Sequence, residues 1–105
     1  MINRLVLLLT LIASGCAIEE ADFPDVYADA ICDRLAECDK GDYENRYESD
    51  EDCEEQWADG ADFWMDAADL LGGEYDSEDA RDCIRAIRGA DCGEFESGDY
   101  ECDLY

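Results

Sequence analysis

Seven cysteines and 31 carboxylates are the side chains of this 105-residue chain best suited to chemistry. The cysteines stand at positions 16, 32, 38, 53, 83, 92 and 102, and histidine is absent. No two of them have C-x-x-C spacing; the closest pair, Cys32 and Cys38, is six residues apart. A thioredoxin-like redox couple and a Cys/His zinc site therefore lack their residues. So do Ser–His and Cys–His nucleophile pairs. The thiols are expected to form structural disulfides. Paired carboxylates could hydrolyse a glycoside, but among 31 acids some pair falls at any chosen separation, so spacing singles out none. An EF-hand loop needs acids at alternating positions with Gly at the sixth. Neither Asp39-Lys40-Gly41-Asp42 nor Glu94-Phe95-Glu96-Ser97-Gly98-Asp99 meets that pattern. The expectation is a chain without catalytic residues, cofactors or a dedicated metal site, binding divalent cations weakly and diffusely.

How the cysteines are counted depends on Cys16. The chain opens Met1-Ile2-Asn3-Arg4, continues from Leu5 to Ile12 with only Thr10 interrupting the apolar run, and exits through Ala13-Ser14-Gly15. One cation, an apolar core and a small-residue exit are the three parts of a secretory signal. A spanning helix needs about 20 apolar residues, so the run is too short to be a permanent anchor. Cys16 directly after Ala-Ser-Gly resembles the lipobox of bacterial lipoproteins, with Ala13 where that box favours Leu, Val or Ile. The resemblance implies that residues 1–15 are removed as a signal peptide. It also implies a lipid such as palmitate on the Cys16 sulfur and acylation of the freed amine. Ala17, where an Asp would retain such a protein at the inner membrane, implies the outer membrane. With Cys16 assigned to lipid, the six remaining cysteines form an even set, which reads as three disulfides in an oxidising compartment. Ninety residues then remain, enough for one small domain that needs covalent help to be stable.

The charge narrows the partners. The formal net charge is −24, and it becomes −25 once Arg4 leaves with the signal. Nucleic acid and anionic membrane surfaces would repel such a chain. Acidity of this order also occurs in disordered chains, but 11 aromatic residues and a clear helical period argue for a folded domain.

The elements that must position the cysteines are helical. Ala17 to Phe23 is expected to be a tether, about 25 Å long if fully extended, leaving a single domain over 24–105. A first helix is predicted from Pro24 to about Cys38. Pro24 sits in its first turn, and Phe23, Tyr27, Ala30, Ile31, Leu35 and Cys38 form one apolar face with Cys32 on its flank. Lys40 to Glu48 reads as a polar loop. Ser49 is a candidate N-cap, followed by acids, for a second helix over 50–71 that ends at Gly72-Gly73. Cys53, Trp57, Gly60, Ala61, Trp64, Ala67, Ala68 and Leu71 are expected on its inner stripe, with Glu55, Asp59, Asp62, Asp66 and Asp69 outside. A third helix over 77–88 carries Ala80, Cys83, Ile84, Ile87 and Ala90 on one side and Arg81, Arg85 and Arg88 on the other. The three arginines make either a solvated face or a docking stripe for an anionic partner. Asp91 to Tyr105, without any period, reads as an irregular tail. The fold class is thus all-α: a small disulfide-stapled three-helix bundle with an irregular C-terminal tail.

Six cysteines allow fifteen connectivities. Ranking them by height in an up-down-up bundle favours Cys32–Cys83, Cys38–Cys53 and Cys92–Cys102. With the lipobox cysteine, the segment Cys32-Asp33-Arg34-Leu35-Ala36-Glu37-Cys38, Cys53, Cys83-Ile84-Arg85 and Asp91-Cys92, the chain resembles the small cysteine-rich lipoproteins of myxobacteria and related bacteria. That resemblance implies a helical, disulfide-bonded domain on a lipid anchor and carries no catalytic residue with it. The expected function is a membrane-anchored envelope module, structural or interacting with an envelope protein. The alternative is an acidic surface lipoprotein that binds divalent cations or another ligand.

Overall fold

The computed structural model describes residues 17–100 and 102–105. The signal stretch and the lipid site at Cys16 lie outside the described residues. Five helices make up the described fold: α1 (Phe23–Cys38), α2 (Lys40–Arg46), α3 (Asp50–Leu70), α4 (Ser77–Gly89) and α5 (Cys92–Ser97). The all-helical, disulfide-stapled class is as expected; two of its five helices were not.

Everything packs on α1. Each of the other four helices contacts it, α3 most extensively and α4 next, while α3 and α4 barely touch each other. A symmetric three-helix bundle would bring all three long helices into mutual contact, so the architecture is a hub with flanking helices. The sequence of α1 suits that role. Ala28 and Ala30 are both fully buried although they point about 200° apart at 100° per residue. Their small side chains let neighbours approach from two sides. Phe23 and Ile31 fill the space between, with Ile84, Ile87, Met65, Phe95 and Leu104 completing the core.

The ends of the helices follow local chemistry. Ser49 Oγ accepts the Asp52 amide at 3.1 Å and starts α3. The Asp76 carboxylate accepts from Glu78 and Asp79 at 2.9 and 3.0 Å and starts α4. α3 stops where Gly72 takes φ +86°, with the Gly73 amide donating to Ala68 O at 3.0 Å. A side chain on Gly73 would meet the Tyr105 ring at 3.0 Å, so the C-terminal residue is seated on this glycine.

Two stretches read as irregular are helical. Lys40–Arg46 forms α2 without burying a residue. Its Arg46 pairs with Asp42 one turn back at 3.7 Å, and the rings of Tyr43 and Tyr47 lie 5.4 Å apart. Asp39, at φ −144°, breaks it from α1. The tail begins with α5, started by a capping box in which Asp91 and Glu94 each accept the other's backbone amide. α5 buries Phe95, which stacks on Tyr100 at 6.0 Å. The chain then returns to the core: Leu104 is 2% exposed, and its carbonyl accepts the Asp76 amide at 2.8 Å.

The three disulfides are Cys32–Cys53, Cys38–Cys92 and Cys83–Cys102, so none of the expected pairs forms. The reason is offset. Cys38–Cys53 assumed that α3 begins beside the end of α1, but α2 takes up the intervening chain, and α3 slides back so that Cys53 faces Cys32. Cys38 is left for Cys92 at the start of α5. Cys83 on α4 then pairs with Cys102 of the returning tail rather than with α1. Each loop encloses one end of the next, and by the chain-entropy estimate each closure contributes about 3–4 kcal/mol.

Arg34 ties the same end together. Its side chain is 12% exposed; it donates to Ala90 O, beyond the C-terminus of α4, at 2.6 Å and pairs with Glu37 at 2.9 Å. It also lies against both sulfurs of Cys38–Cys92, at 3.4 and 3.9 Å. A cation placed at a helix C-terminus is electrostatically favourable.

Candidate interaction surface

α3 is where apolar side chains and solvent meet. At 100° per residue its circumference divides into three sectors. Cys53, Ala61 and Met65 face the core and are buried. Glu51, Glu55, Asp59, Asp62, Asp66 and Asp69 fill a second, exposed sector. The third is apolar and outward: Gly60, Phe63, Trp64, Ala67, Leu70 and Leu71, all exposed. Phe63 is 78%, Leu70 88% and Leu71 89% exposed. The predicted inner stripe is thus rotated by roughly 60°: Gly60, Ala67 and Leu71 lie outside, and Met65 takes the buried position.

The apolar sector borders an aromatic groove of about 360 Å³ lined by Tyr27, Tyr47, Gln56, Trp57, Gly60, Ala61 and Trp64. Its walls are held by edge-on ring contacts, Tyr27 to Trp57 at 6.2 Å and Tyr27 to Trp64 at 6.5 Å. Trp57 Nε1 donates to Tyr47 Oη at 3.0 Å, so the tryptophan's polar edge is satisfied and its ring face remains for packing. Burial, with Tyr100 adding to it, pushes the Tyr27 phenol up to about 12, so it stays a neutral wall of the groove. Chemically the groove can stack a flat or apolar group; it presents no nucleophile paired with a base.

A second groove lies on the acidic side of α3, lined by Asp25, Ala28, Glu51, Glu54, Glu55, Ala58, Asp59 and Asp62. A hydrogen bond between carboxyl groups, with Asp29, raises the Glu54 pKa. Among the described residues no three acidic or cysteine side chains converge as metal ligands.

The predicted arginine stripe is brought onto one face of α4 but is partly neutralised. Arg88 pairs with Asp29 of α1 at 3.1 Å and Arg81 with Asp82 at 3.1 Å, leaving Arg85 exposed without an ion pair among the described residues.

The chain leading to Cys16 is laid onto the domain. The Ile18 amide donates to Ser77 O at 3.2 Å, Tyr75 Oη donates to Ile18 O at 2.6 Å, and Tyr105 Oη donates to Glu20 at 2.6 Å. Glu19 O accepts from Asp22 and Phe23, turning the chain into α1. Instead of a seven-residue tether, Ala17 is the one described residue before Ile18 meets the domain. Sequence reading missed Arg34, Tyr75, Phe63 and Leu70 as residues of consequence. Only Phe63 and Leu70, apolar and seven apart beside the acidic sector, left a signal in the pattern. No described helix is long and apolar enough to cross a membrane. No known protein family, curated protein or solved structure matches this chain.

Proposed function

We propose that this protein is a lipid-anchored module of the bacterial envelope that acts by contact rather than by catalysis. Residues 1–15 are its signal peptide, and Cys16 becomes its lipidated N-terminus, placed at the outer membrane. The observation that carries the anchor reading is that the six cysteines after Cys16 are consumed by three disulfides. A single cysteine at the signal boundary then has no intramolecular thiol partner, and lipidation accounts for it. What supports action by contact is the outward apolar sector of α3, which a small acidic domain has no reason of stability to maintain.

The test is mass spectrometry of the mature N-terminus from a bacterial host. An acylated Cys16 is expected; an unmodified thiol, or cleavage elsewhere, refutes the anchor. A photo-crosslinking residue at Phe63, activated in intact envelopes, tests contact: an adduct at Phe63 that is absent at Arg85 supports it. The second reading, cation binding, is favoured by the acidic groove beside α3. Calorimetry with calcium is expected to show weak, non-stoichiometric heats, and a tight stoichiometric event would replace the first reading with the second.

A further inference from the structure

We propose that Leu70 and Leu71 form a second contact with the lipid bilayer, at the end of the domain that is tied to Cys16. Two independent features meet at this end. The first is exposure: Leu70 and Leu71 are 88% and 89% exposed, whereas Ile31, Ile84, Ile87 and Leu104 are at most 6% exposed. Both leucines close α3 at the loop that leads to Tyr75 and Ser77. The second is the path of the chain. Ile18 is fixed by hydrogen bonds to Ser77 and Tyr75, the two residues at the far side of that loop. Tyr105 packs edge-on against Tyr75 at 5.9 Å and against Gly73, joining Ile18, Tyr75 and the loop into one packed unit.

Covalent reach does the rest. With only Ala17 between, the Cα of position 16 lies no more than about 7 Å from that of Ile18. A lipid on that residue enters the bilayer beside the Leu71–Ser77 loop, and the domain cannot lift away. The leucines are held where the apolar phase begins, and the short link supplies a high effective concentration for a contact too small to hold alone.

Charge selects this occupant over a second copy. Two chains of net charge near −25 repel each other, while a zwitterionic bilayer carries no net charge to oppose the approach. The acids of α3 fill the sector beside the apolar one, which runs from Gly60 to the two leucines.

The inference rests on the anchor reading, and its test is built to fail separately. The disulfide-bonded chain from residue 16 is coupled through the Cys16 thiol to a maleimide lipid in zwitterionic phosphatidylcholine vesicles, whatever modification the native N-terminus carries. Benzoylphenylalanine replaces Leu71 in one sample and Arg85 in another, and both are irradiated. Transfer of one leucine side chain to an apolar phase corresponds to more than about a tenfold preference, so lipid adducts are expected at least about tenfold more abundant at 71 than at 85. Equal yields at the two positions, no adduct, or a chain-to-chain adduct at 71 would each overturn the proposal. Mass spectrometry of the native N-terminus reports separately on the anchor.

Discussion

α4 and the second half of α3 use apolar side chains in opposite ways. α4 puts Ala80, Cys83, Ile84 and Ile87 inside and its arginines outside. α3 buries Ala61 and Met65 and leaves Phe63, Leu70 and Leu71 in water. Hydrophobicity does not explain the contrast; the supply of partners does. α4 is closed in by α1, by the returning tail through Cys83–Cys102, and by Arg34 at its C-terminal end. α3 has α1 as its one extensive partner, and its 21 residues span about 31 Å against about 24 Å for the 16 of α1. The longer helix has an outer flank that no described helix buries. A stapled half and an open half therefore coexist in one small domain, and the open half is the side available for contact.

The contrast can be broken first at the staple. Replacing Cys38 and Cys92 by Ala should cost about 4 kcal/mol, the largest effect among the disulfides, because that one closes the longest of the three loops. Denaturant unfolding monitored by circular dichroism measures it, and a loss below about 1 kcal/mol would mean that Arg34 and packing hold α5 unaided. A direct comparison of the halves comes next. Ile87→Ala should lose about 2–5 kcal/mol by opening a cavity, while Leu70→Ala should stay within about 0.5 kcal/mol as an exposed change. Comparable losses at the two sites would mean that Leu70 is buried in solution.

Arg34→Met keeps much of the side-chain volume but removes the bond to Ala90 O, and should cost about 1.5–3 kcal/mol. Its unfolding transition should shift without loss of the disulfides, checked by a non-reducing peptide map.

The smallest effect is with pH and belongs to the open, acidic side. Glu54 is raised by its hydrogen bond to Asp29, and Asp69 by desolvation and by the Glu20 carboxylate. A carboxyl group whose pKa is raised on folding binds protons more tightly in the folded state. The stability it contributes is present at low pH and lost as pH rises through the raised value. Asp91 is the opposite case, lowered chiefly by its backbone hydrogen bond from Glu94, so α5 should lose support as pH falls through that lowered value. Melting at pH 7 and pH 5 is therefore expected to show a more stable domain at pH 5. A less stable one would mean that Asp91 and the other paired carboxylates outweigh the crowded ones. At the alkaline end, burial raises Tyr27 and Tyr75 to about 12, so stability should fall as pH rises above 10, seen as cooperative tyrosinate absorbance.

Much of the helical layout was legible because helix ends are local. Ser49, Asp76, Gly72 and Pro24 mark boundaries with their own side chains or backbone freedom, and α1, α3 and α4 begin and end within one residue of the predicted positions. α2 left no such mark, since it buries nothing and so has no apolar period to read. α5 offered one apolar residue, Phe95, in a six-residue helix. The inner face of α3 was misread for a different reason. Apolar or small residues at 60, 61, 63, 64, 65, 67, 68, 70 and 71 cover well over half the circumference. Periodicity alone cannot say which part of so wide an arc turns inward.

By itself, then, the sequence determined that the chain is helical and disulfide-bonded, where its three longer helices run, and that its surface is acidic. Those properties follow from spacing, caps and composition within a few residues of each position. The tertiary structure decided which cysteines meet, which flank of α3 stays in water, and that Ile18 is pinned to Tyr75 and Ser77. Each of these depends on how far one helix slides and turns against α1. That offset is set by close packing around Ala28 and Ala30 and by the chain taken up in α2, between residues distant in sequence.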